Sequence, residues 1–118
     1  MTWLITTQSR PLIRHQALVY SDGGVLMAVH NSRDKGGVIR QPLVDFVKGK
    51  RVTQVKELTY SSDYIHSYYC ENKHRKYDLL NYNCEHFTTG AIGSVNSPQV
   101  KQLLFGSSLL ALLLMIRS

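Results

Sequence analysis

Cysteine is scarce in this chain: Cys70 and Cys84 are the only two among 118 residues. Two thiols cannot make the disulfide framework of a small secreted domain. The first ten residues, Met-Thr-Trp-Leu-Ile-Thr-Thr-Gln-Ser-Arg, lack the basic start and sustained apolar stretch of a signal peptide. Both absences predict a cytoplasmic, reducing environment in which Cys84 stays a free thiol. Acidic residues are also few, 8 against 14 lysines and arginines, for a formal charge of +6. Such a surface favours anionic partners. There is no glycine-rich phosphate loop, no pair of catalytic carboxylates and no nucleic-acid fingerprint. Nucleotide-dependent chemistry and nucleic-acid binding are therefore not expected, and no cofactor is implied. Cys70, His74, Cys84 and His86 do not follow a paired metal-ligand spacing, so no metal site is expected either.

What is present suits one small α+β domain with an antiparallel sheet packed against helices. His15 to Tyr20 alternates and is rich in branched and aromatic residues. Asp22-Gly23-Gly24 then signals a tight turn, and Val25 to His30 reads as the returning strand. Asn31 to Gly37 reads as a loop, Pro42 to Lys48 as a short helix and Arg51 to Leu58 as a third strand. A helix is expected from Ser62 and Asp63 toward Asn72, with Tyr64, Ile65, Tyr68 and Tyr69 as its buried stripe and Cys70 among them in the core. Another begins at Cys84 and ends near Gly90 or Gly93. Ser97-Pro98 reads as the start of a last helix continuing to Ile116.

That last segment divides the chain into residues 1–102, the domain, and residues 103–118, an apolar C-terminal helix. The stretch from Leu103 to Ile116 is shorter than the ~20 residues that cross a bilayer. It reads equally as a shallow membrane anchor and as a core or homodimer helix.

The chemistry is expected at three residues. If Asp22-Gly23 forms the hairpin loop, His15 lies opposite His30, about 5 Å apart on one face. If Gly23-Gly24 forms it, the histidines are diagonal. They share a face in either register, because side chains alternate with period two. One imidazole could act as a base and the other could orient it. Asn83 is a good helix cap, which puts Cys84 in a first turn where unpaired N–H groups and the helix dipole favour a thiolate. The same N–H groups could hold an oxyanion. His86, two residues on, points elsewhere and reads as packing or hydrogen bonding near the site. His66 and His74 read as solvent-facing.

The pentapeptide Asn83-Cys84-Glu85-His86-Phe87 resembles the signature of the lecithin:retinol acyltransferase-like family. His15 in His-Gln-Ala-Leu-Val-Tyr and His30 in Val-Leu-Met-Ala-Val-His resemble the two strand residues that precede it in that family. Pro42 to Phe46 resembles the family's short helix, and the resemblance extends over roughly residues 12 to 102. It implies a circularly permuted, papain-like (NlpC-type) fold in which histidine precedes cysteine in the chain. It implies Cys84 as nucleophile, His15 as its base and His30 as the orienting residue. It further implies an acyltransferase or phospholipase A that takes an acyl chain from a phospholipid as a thioester and passes it to water, an amine or an alcohol. Several members carry a C-terminal hydrophobic segment, which residues 103–116 resemble. Two alternatives remain open: a cysteine peptidase or amidase of the wider superfamily, and a non-enzymatic interaction protein like the viral proteins that share the histidine and Asn-Cys motifs.

Overall fold

The computed structural model describes residues 2–10, 13–93 and 100–102. In chain order these form β1 (Thr2–Arg10), β2 (Ile13–Asp22), β3 (Val25–Ser32), β4 (Gly37–Pro42), α1 (Leu43–Val47), β5 (Arg51–Leu58), α2 (Ser62–Asn72), α3 (Cys84–Ile92) and β6 (Val100–Gln102). The strands make one antiparallel sheet in the order β4-β3-β2-β1-β5-β6. It is a small α+β fold, as the sequence pattern predicts.

The β2–β3 turn closes on Gly23 and Gly24, both at positive φ (59° and 84°), where a side chain would be strained. Asp22 pairs with Val25 and Leu18 with Val29. This is the Gly23-Gly24 register, so the direct opposition of His15 and His30 that the other register required does not occur. Toward His15 the recorded pairing of β2 with β3 stops at Leu18. Pairing of β2 with β1 continues, with Thr7 opposite His15.

Alternation along β2 separates two apolar layers. Leu18 and Tyr20 pack with Leu4, Val29, Ile65, Phe87 and Ile92, under α2 and α3. Ala17 and Val19 pack with Trp3, Ile5, Ala28, Leu43 and Phe46, under α1. The central strands thus bury both faces, and each fully buried large side chain contributes roughly 1.5–3 kcal/mol. α3 lies close enough to α2 that a Cβ on Gly90 would collide with the Tyr68 hydroxyl. That hydroxyl donates to the Phe87 carbonyl at 2.6 Å and ties the two helices together.

Two expectations are corrected, and two strands lie where the sequence pattern gave no element. Thr2–Arg10 is a central strand, although its Thr-Gln-Ser stretch carries no apolar alternation. Gly37–Pro42 is an edge strand between the expected loop and the expected short helix, which forms as α1 with Pro42 as its N-cap. In α2 only Ile65 is buried; Tyr64 is exposed, Tyr68 and Tyr69 are half-buried, and Cys70 is exposed rather than in the core. Val100–Gln102, expected within a helix from Ser97-Pro98, pairs instead with Lys56–Leu58. There the open edge of β5 supplies backbone partners that compete with a helix. Residues 103–118, the expected apolar helix, lie outside the described residues. Among the described residues no helix is long and apolar enough to cross a membrane.

Candidate active site

Cys84 is the first residue of α3, and its surroundings follow from Asn83. The Asn83 side-chain oxygen accepts from the Glu85 and His86 backbone N–H groups, each at 3.0 Å. His86 Nδ1 in turn accepts from the Asn83 N–H at 3.1 Å, which completes a capping box with histidine in the place usually taken by Glu or Gln. His86 is thereby committed to holding the helix start. Asn31 supports the same junction from β3 by donating to the Tyr82 and Asn83 carbonyls at 2.9 and 3.3 Å.

The Cys84 thiol is half-buried and points at the Arg14 carbonyl oxygen on β2, a long contact of 4.0 Å. Burial pushes its pKa up, and the Gln16, Glu85 and Cys84 backbone N–H groups offset part of that effect. The helix-start thiolate expected from sequence is therefore not the favoured form: desolvation outweighs the first-turn N–H groups. Glu85 adds to the upward push through its charge.

His15 and His30 line one cavity of about 450 Å³ with Ser9, Ser32, Arg33, Asp34 and Lys50. They sit there because both occupy the α1-facing layer of the hairpin, in register with Ala17 and Val19 and with Ala28. His30 is buried, packs against the Phe46 ring at 4.7 Å and hydrogen-bonds through Nε2 to Gln41 Oε1 at 2.7 Å. With Nε2–H donating to that carbonyl oxygen, neutral His30 has Nδ1 as its acceptor. Burial pushes its pKa down to about 4, against the Gln41 hydrogen bond and with the Lys50 and His15 charges. His15 Nε2 lies 3.1 Å from Ser9 Oγ. Its pKa is also lowered, first by burial and then by Lys50, while Asp34 acts in the opposite direction. Both imidazoles are therefore neutral at neutral pH, the form a general base needs.

The structure brings the two histidines to one cavity, whose lining does not include the thiol. Gln16, on the α3-facing side of β2, accepts from Thr88 of α3 at 2.8 Å. By alternation His15 projects to the other side. The Cys84 sulfur touches β2 at the backbone on either side of His15, and among the described residues no hydrogen bond joins it to an imidazole.

A thiol–imidazole contact does occur elsewhere. Cys70 Sγ lies 3.5 Å from His66 Nε2, one turn earlier on α2. His66 Nδ1 meets the Tyr20 hydroxyl at 2.7 Å, and Arg40 Nε donates to that same hydroxyl at 2.7 Å. Arg40 also pairs with Asp22. The i, i+4 spacing of His66 and Cys70 was visible in the sequence, but its pairing with β2 and β4 depends on how α2 packs. Among the described residues no group of three or more potential ligands could hold a metal ion.

Comparison with family models, with curated proteins and with solved structures returns no match.

Proposed function

We propose that the protein is a thiol-dependent acyltransferase or phospholipase A that carries an acyl group on Cys84, with His15 as base and His30 orienting it, in a permuted papain-like arrangement. The supporting observation is the seat of the thiol: first in a doubly capped helix, against the strand backbone that flanks His15. The elevated thiol pKa and the lowered imidazole pKa favour a neutral pair, so the proton leaves sulfur as the bond to the acyl carbon forms. The Cys84 sulfur attacks the ester carbonyl, and the backbone N–H groups of Cys84 and Gln16, which also lower the thiol pKa, receive the oxyanion. Collapse expels the lysolipid alkoxide, which takes the proton from the imidazolium and leaves a thioester. Water, an amine or an alcohol then repeats the sequence in reverse. This reading requires the His15 ring to reach the thiol past the part of β2 that β3 leaves uncovered. Residues 103–116 would hold the protein at a lipid surface.

Incubation with phosphatidylcholine vesicles tests the reading. The expected result is one acyl mass on the Cys84 peptide of the wild type and of Cys70→Ser, absent from Cys84→Ala. Fatty-acid release and acylation that are equally absent from wild type and Cys84→Ala would overturn it. Cleavage of peptides by a protein inert on lipids would point to the peptidase or amidase alternative.

That among the described residues the Cys84 thiol contacts a backbone carbonyl and no imidazole favours a second reading, a non-enzymatic interaction protein built on the same fold. On that reading Cys84→Ala leaves the protein's biological effect unchanged.

A further inference from the structure

Between α2 and α3 the chain builds a short, heavily bonded projection. Asp78 and Tyr82 exchange two backbone hydrogen bonds, each of 2.8 Å. The Asp78 carboxylate accepts from the Leu80 and Asn81 backbone N–H groups at 3.1 and 3.2 Å, and from the Asn81 side chain at 3.2 Å. Asp78 and Asn81 are exposed beside two leucines at the tip of the turn. Leu79 is 57% exposed and Leu80 is 82% exposed, the most exposed of the large apolar side chains described.

Two features bear on what this tip could meet. Its base is cationic: the Arg75 guanidinium lies 3.6 Å from the centre of the Tyr82 ring, and Lys73 and Lys76 are exposed in the adjoining loop. The tip is also tied to the nucleophile's helix. Asn83 Nδ2 donates to the Leu79 carbonyl at 3.1 Å, while the same side chain's oxygen caps α3 through Glu85 and His86. One side chain therefore fixes the tip relative to Cys84. Apolar residues ahead of a cationic base match a bilayer whose acyl region lies beneath anionic head groups.

We infer that the Leu79-Leu80 tip docks into an anionic phospholipid surface and sets the height of Cys84 above it. The inference rests on the lipid-directed reading of the site and names the element that presents the site to lipid. A second copy of the chain covering the leucines is the competing occupant.

The test uses the full chain with Leu80→Trp, and Val25→Trp as control. Val25 is 52% exposed beside the Gly23-Gly24 turn, at the other end of β2 from Arg14. The native Trp3 is buried and stays out of reach of lipid. On vesicles of phosphatidylcholine and phosphatidylglycerol carrying brominated acyl chains, Leu80→Trp emission shifts to the blue and is quenched, whereas Val25→Trp emission is not. Leu80→Asp weakens vesicle binding roughly tenfold or more and leaves Cys84 acylation by a soluble activated ester unchanged. The inference is overturned if the protein does not bind the vesicles, or if it binds while Leu80→Trp stays unquenched. A concentration-dependent blue shift without lipid would also overturn it, by assigning the tip to self-association. Quenching without acylation by the soluble ester would remove the thiol chemistry and keep the docking tip. Acylation without quenching would do the reverse.

Discussion

The Cys84 thiol faces the Arg14 carbonyl oxygen at 4.0 Å, so the candidate nucleophile rests on the backbone of the strand that carries His15. The two groups proposed to exchange a proton are thus joined through one strand, with Gln16 facing α3 and His15 projecting to the other side. The consequences of this arrangement are measurable.

Acid stability follows from His30. Its folded pKa, about 4, lies below its ordinary value of 6.5, so the unfolded chain binds a proton more readily than the folded one. The stability linked to neutral His30 is complete above pH 6.5 and declines as pH falls toward 4. The loss is on the order of 3 kcal/mol. Urea unfolding between pH 7 and 4 should show this slope, and His30→Gln should flatten it. An unchanged slope in His30→Gln would assign the acid sensitivity to other groups.

Lys50 tunes both imidazoles. Its ammonium lies over the Phe46 ring, 4.6 Å from the centre, and its charge lowers the pKa of His15 and of His30. Lys50→Met should therefore raise both imidazole pKa values. Histidine titration followed by NMR reads this directly, and a downward movement would contradict the electrostatic account of the cavity.

Asn83 joins three elements: the Leu79 carbonyl, the first turn of α3 and, through its own N–H, His86. Asn83→Ala should cost about 1–2 kcal/mol from the lost cap. Asn83→Asp keeps the cap acceptor and removes the donor to Leu79. It should recover most of the stability while loosening the tip. Equal destabilisation by both substitutions, measured by thermal unfolding, would contradict this division of roles.

The hairpin was legible because Gly23 and Gly24 fix the turn and the alternation from Ala17 to Tyr20 fixes the faces. Which residues close that turn was not legible, since Asp22-Gly23 is as good a turn pair by composition. The α3 cap could be read from Asn83, whereas the histidine half of the box could not, because His is not the usual partner at that position. β1 escaped notice because a central strand with both faces covered needs no alternation, and Thr2, Thr6 and Thr7 are buried despite their hydroxyls. The side of β2 on which α3 and Cys84 pack was hidden for another reason. Sequence places His15 and His30 on one face but does not say which face α3 covers. That depends on the packing of Phe87, Ala91 and Ile92 against Leu18.

The most direct test of Cys84 as a base-assisted nucleophile is its acylation rate with a soluble activated ester, measured by peptide mass across pH 5 to 9. The wild type should acylate Cys84 far faster than exposed Cys70. The rate should fall on the acid side through a limb below pH 6.5, where His15 takes up a proton. His15→Ala should lose both the limb and most of the rate. A Cys84 rate no greater than that of Cys70, or a rate profile unchanged in His15→Ala, would contradict the account.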